Sequence, residues 1–104
     1  MPEISAIAAD FASSSDKRAE KAARDLAATG SQNLEAYTRL LNDRRVDVRW
    51  WSVRSLAEID SPVVIPLLIH TLDDADISVR QCAALALQQQ PDHAHARGML
   101  GLVY

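Results

Sequence analysis

The chain has 104 residues, of which 48% are hydrophobic and 24% charged, with a formal net charge of -3 at pH 7. That balance suits a single domain with a modest core and excludes overall attraction to nucleic acid or an anionic membrane. The single cysteine, Cys82, excludes an intrachain disulfide framework and fits a reducing compartment, here expected to be the cytoplasm.

The opening MPEISAIAADFASSS carries Glu3 and Asp10 and lacks the basic start and long apolar run of a secretory signal. Residues 4–12 are expected to form a short helix. Ser13-Ser14-Ser15-Asp16 reads as a loop ending in an N-cap, followed by Ala19, Ala22, Ala23 and Leu26 at helical spacing. Gly30 stands where a helix C-terminus favours a left-handed residue. Ser31 or Asn33 then caps a helix carrying Leu34, Tyr37, Leu40 and Leu41, and Asn42-Asp43-Arg44-Arg45 is a polar turn.

Val48, Ser52, Ser55, Leu56 and Ile59 form one stripe of the next helix. Ser61-Pro62 marks another start, with Pro at the first helical position. Val64 to Leu72 is apolar nearly all round, which predicts a well-covered helix. After the turn Asp73-Asp74-Ala75-Asp76, the residues Val79, Cys82, Ala83, Ala86 and Leu87 repeat the earlier stripe. Pro91-Asp92 is expected to end that helix and cap a last one running towards Tyr104. No run approaches the ~18 apolar residues of a membrane span.

The stripes repeat with a fixed period. Leu41, Asp43, Val48, Arg49 and Leu56 recur 31 residues later as Leu72, Asp74, Val79, Arg80 and Leu87. A period of roughly 20–50 residues marks a solenoid, whose helix pairs bury their apolar faces only by stacking. The small residues Ser52, Ser55, Ala83 and Ala86 are expected to let neighbouring helices approach closely.

Pro66, Asp74, Val79 and Arg80 stand at a spacing that resembles a HEAT repeat, and Glu35, Asp43, Val48 and Arg49 keep all of it except the proline. VRQCAALAL at 79–87 and VRWWSVRSL at 48–56 resemble the short bacterial HEAT-like repeats, which also occur in phycobilisome lyases. The resemblance spans 34–90. It implies an all-α, right-handed superhelix of antiparallel hairpins with about six to seven short helices. The expected division is a degenerate repeat at 1–30, repeats at 34–60 and 65–90, and an incomplete repeat at 92–104. Asp43 and Asp74 lie beside the starts of the following helices, where a carboxylate can accept free backbone N–H groups. The resemblance implies that Arg49 and Arg80 bridge to the Asp of the same or the adjacent repeat. Repetition at fixed register assigns Asp43, Arg49, Pro66, Asp74 and Arg80 to architecture.

Signals for chemistry are sparse. Cys82 lies on the inward stripe and is expected to be a buried, inert thiol. His93 and His95 are two apart, on different helix faces, and so poorly placed to chelate. His70 suits the negative end of its helix dipole. Asp73, Asp74 and Asp76 lack the glycine and distal glutamate of a calcium loop. No phosphate loop, nucleophile elbow or zinc motif is present, so the chain is expected to be no enzyme and to need no cofactor or metal.

The second-helix surface is more informative. Trp50 occupies the slot of Gln81, and Arg54 that of Leu85, both off the inward stripe, whereas Trp51 aligns with Cys82 and is expected to pack inside. Trp and Arg are enriched at binding hot spots. The resemblance implies that second helices line the concave side, which makes Trp50, Arg54, Gln81, Leu85 and Gln88 the candidate surface for a protein partner. Near the end, Met99, Leu100, Leu102, Val103 and Tyr104 form an apolar helix without its usual partner. Either a longer solenoid continues or this end self-associates, through Met99, Leu100, Val103 and Tyr104. LGLVY at 100–104 also resembles the core of a tetratricopeptide first helix.

The favoured function is therefore a non-catalytic interaction scaffold or adaptor. A nucleic-acid-binding module is the alternative, motivated by Arg44, Arg45, Arg49 and Arg54 and opposed by the net charge. A role in bilin attachment is a second alternative, implied by the family resemblance alone.

Overall fold

The structure, a computed structural model, describes residues 3–90. Six α-helices follow one another: α1 (Ile4–Phe11), α2 (Asp16–Ala28), α3 (Leu34–Leu41), α4 (Val46–Ala57), α5 (Ile65–Thr71) and α6 (Ile77–Gln89). Single 3-10 turns, Gly30–Gln32 and Pro62–Val64, lead into α3 and α5. There is no strand among the described residues. The predicted last helix, with His93, His95, Met99, Leu100, Val103 and Tyr104, lies outside them.

Local chemistry sets the helix starts. The Ser15 hydroxyl accepts the Arg18 N–H at 3.3 Å, and Ser14 before it takes a left-handed backbone, φ 67°, that lets the chain reverse out of α1. Asp76 caps α6 by accepting the N–H groups of Ser78 at 2.8 Å and Val79 at 3.4 Å. Ser61 accepts the Val63 N–H and Pro62 opens the turn, as Ser-Pro predicts. The N-cap of α4 is Arg45, which brings no capping side chain. Its own N–H is held instead by Asp43, at 2.9 Å. Asp74 holds the Asp76 N–H in the same way, also at 2.9 Å.

The helices pair in chain order, α1 with α2, α3 with α4 and α5 with α6, and the second members stack as α2–α4–α6. This is the two-layer, all-α arrangement that the period requires. The middle helix is packed from several sides: Val48, Ser52, Val53, Ser55 and Leu56 are all fully buried. One continuous apolar core runs from Ile7 and Phe11 in α1 to Ala86 and Leu87 in α6. Ser52, Ser55, Ala83 and Ala86 are indeed buried where the second helices meet, their small volumes permitting close approach.

Two expectations are corrected. Helix α5 is not covered all round: Pro66 and His70 are exposed, and Leu67, Ile69 and Leu72 are only half-buried, because α5 packs chiefly on α6. Gly30 is not a left-handed cap. A side-chain carbon there would lie 2.2 Å from Ile59 Cδ1 and 3.3 Å from Tyr37 Cε2, so close packing, not backbone conformation, requires glycine.

Candidate functional site

Two kinds of position stand out on this scaffold: a polar seam along the turns and a grooved face on the second helices.

The seam ties helices to turns and one repeat to the next. Arg49 donates from Nη1 to the carbonyls of Asp43 at 2.9 Å and Arg44 at 3.0 Å. Arg80 repeats this one unit later, donating to the carbonyls of Asp74 at 2.7 Å and Ala75 at 3.2 Å. Each arginine thereby ties its helix to the turn that precedes it. Arg49 does more. Its Nε and Nη2 reach Asp74 Oδ2 and Oδ1 at 3.0 and 3.3 Å, a bidentate ion pair across the repeat boundary. With side chains only 15% and 9% exposed, this pair is shielded from water and salt. Pro66, the fifth motif residue, is exposed at the start of α5. Arg45 pairs with its own turn, at 3.0 Å from Asp43, and that neighbour holds the Asp43 carboxyl below the usual carboxylate range. The four-arginine cluster is therefore not a free basic patch, since Arg45 and Arg49 are already engaged with carboxylates.

The second-helix face carries the candidate surface. Trp50 and Arg54 lie one turn apart on α4, and Gln81 and Leu85 hold the matching positions on α6. All four line one shallow groove of about 230 Å³ between the two helices, floored by Ala57, Cys82 and Ala86. Leu85 is 50% exposed there, an apolar side chain left beside other apolar atoms. Gln88 is exposed but does not line this groove, which Gln89 enters instead.

Trp51 departs from the expected pattern. Trp50, off the inward stripe, is half-buried, and Trp51 is half-buried, not interior. They meet edge to face, ring centroids 5.0 Å apart at 84°. The Arg54 guanidinium sits 5.7 Å from the Trp50 ring centre, which pins both side chains by a cation–π contact. Cys82 is also half-buried rather than interior. Burial still pushes its thiol pKa up, which keeps it protonated and a poor nucleophile. The helical stripe missed the placement of Trp51 because α4 is packed on several sides and no single inward direction exists for it.

A second groove of about 380 Å³ opens on the other side of Trp50, between the start of α2 and α4. Phe11, Trp50 and Trp51 supply its apolar surface, with Asp16, Glu20, Asp47 and Arg54 around them. Sequence reasoning did not find it, because its two walls are about 30 residues apart in the chain.

The family model for HEAT repeats matches residues 4–94. The chain belongs to the HEAT-repeat family. Neither curated proteins nor solved structures give a match. HEAT repeats are generally protein-interaction scaffolds and typically non-enzymatic. In this HEAT-repeat chain no helix of the described residues is long and apolar enough to cross a membrane. No group of three or more His, Cys, Asp or Glu among them is placed to hold a metal ion.

Proposed function

We propose that this HEAT-repeat protein is a non-catalytic adaptor that docks a partner protein on its second-helix face. The contact residues are Trp50, Arg54, Gln81 and Leu85, with the exposed Gln88 at the margin. The observation that supports this reading is the α4–α6 groove. It joins an ordered Trp–Arg pair to a half-exposed leucine, the combination of rigid anchor and uncovered apolar surface found at interaction hot spots.

The test uses affinity capture from native lysate with wild-type protein and two variants, Leu85→Asp and Trp50→Ala with Arg54→Glu. Both variants are expected to keep their helicity by circular dichroism and to lose the species that wild-type protein retains. Equal capture by all three proteins refutes this surface.

A further inference from the structure

The second groove specifies the chemistry of the partner. We propose that the space between the start of α2 and α4 receives a basic side chain, lysine or arginine, from the same partner whose apolar residue enters the α4–α6 groove. The partner segment then crosses Trp50 with an apolar anchor on one side and a cation on the other. This rests on the docking reading above and adds to it a charge and a direction.

Three observations carry it. The groove holds three carboxylates, Asp16, Glu20 and Asp47, against the single cation Arg54. None of the three acids has an ion-pair partner among the described residues, so each is open to a cation from outside. Asp16 and Asp47 occupy the first turns of α2 and α4, where the helix dipole favours a negative charge. Glu20 lies a turn further in, beyond that explanation.

The walls suit a cation as well. Tryptophan faces attract guanidinium and ammonium groups, and Arg54 over Trp50 shows one such contact already formed. Trp51, turned 84° from Trp50, lines the same groove and has no cation over it among the described residues. A volume of about 380 Å³ accommodates a long basic side chain with its aliphatic stem against Phe11 and the indoles. A carboxylate would meet three like charges in the same space, and an apolar side chain would leave those acids beside a low-dielectric surface without a counter-ion.

The experiment is selection of a random-peptide display library on the immobilised full chain. Wild-type protein is expected to enrich peptides that pair lysine or arginine with a large apolar residue. The Glu20→Gln, Asp47→Asn double variant is expected to keep the apolar preference and lose the basic one. The most enriched peptide is then resynthesised with glutamine at its basic position and titrated against wild-type protein. Fluorescence is the readout, since Trp50 and Trp51 are the chain's two tryptophans. An affinity about tenfold weaker is expected for one lost cation–π and charge contact. The peptide substitution leaves the protein unaltered, so it decides the matter even if the double variant folds poorly. Enriched peptides without a basic excess, a basic preference unchanged in a folded double variant, or equal affinity of the two peptides overturns the inference and leaves the docking surface standing. Absence of any enriched peptide overturns the docking surface itself, and the inference with it.

Discussion

The two junctions between second helices solve one problem by different chemistry. Where α2 meets α4, the bond is neutral and buried. Tyr37 donates its hydroxyl hydrogen to Ser55 Oγ at 2.5 Å, and Ser55 donates to the Ala23 carbonyl on α2 at 2.6 Å. Where α4 meets α6, the corresponding residues are Leu68 and Ala86, both buried and both apolar. The polar relay is absent there, and the Arg49–Asp74 pair closes the junction at its turn edge instead. One repeat register thus accepts either a hydroxyl chain through the core or a charged clasp at the rim. A stacking position fixes side-chain volume, and polarity is free to vary when it varies in matched sets.

The largest expected effect breaks the charged clasp. Arg49→Ala removes an ion pair, two bonds to carbonyls and a buried stem together, and leaves Asp74 shielded without a counter-ion. A loss of about 3 kcal/mol is expected, at the lower end of the cost for uncovering one member of a buried pair. Arg80→Ala, which removes only the two carbonyl bonds, is expected to cost about 1 kcal/mol. Urea unfolding of both variants checks the ratio. Equal losses would mean that the cross-repeat pair contributes nothing.

The next effect tests the hydroxyl relay. Ser55→Ala strands the Tyr37 hydroxyl in a fully buried position and is expected to cost about 2 kcal/mol. Adding Tyr37→Phe then recreates the apolar character of the α4–α6 junction. The double variant is expected to be no less stable than Ser55→Ala alone, giving a coupling of about 1 kcal/mol in a double-mutant cycle. Strict additivity would show that the two hydroxyls act separately.

A third variant separates packing from backbone conformation beside the same relay. Gly30→Ala is expected to cost about 1.5 kcal/mol, because the new methyl group must displace Ile59 against a filled core. A compensating Ile59→Val is expected to recover part of that loss. If Ile59→Val instead adds its full penalty, the crowding is not at Ile59 Cδ1.

The sequence carried the architecture and blurred the surface, for identifiable reasons. The 31-residue echo located the helices α3 to α6 and the buried small residues, since stacking demands the same volumes at the same register. It also brought Arg49 into view, although only the fold shows that the arginine pairs forward with the Asp74 carboxylate while it holds just the backbone carbonyl of Asp43. The Ser55–Tyr37 relay stayed hidden because neither residue differs from an ordinary core position until the partner 18 residues away is known. Trp51 lies half-buried where its register predicts an interior place, because a helix packed on several sides presents intermediate positions that a two-sided stripe cannot describe. A glycine at a helix end commonly marks a left-handed cap, whereas at Gly30 the reason is Ile59, remote in sequence.

At neutral pH the smallest effect belongs to Tyr37→Phe alone, since Ser55 keeps its bond to Ala23; the difference emerges only in alkali. Burial pushes the Tyr37 phenol up to about 12. The folded state therefore holds the phenol proton more tightly than the unfolded chain, where it leaves near 10. That preference is fully present below the unfolded value and is lost as pH rises towards the folded one. Stability is expected to fall with pH between about 10 and 12, with a slope approaching ~1.4 kcal/mol per pH unit from this group. Contributions from every other titrating group are common to both proteins. Subtracting the Tyr37→Phe curve from the wild-type curve isolates the phenol. The α4–α6 junction, with Leu68 in the equivalent slot, has no group there that titrates. The difference curve is therefore the signature of the neutral junction alone. Parallel curves through this window would mean that Tyr37 ionises as readily folded as unfolded, and the relay would then not be sealed from water.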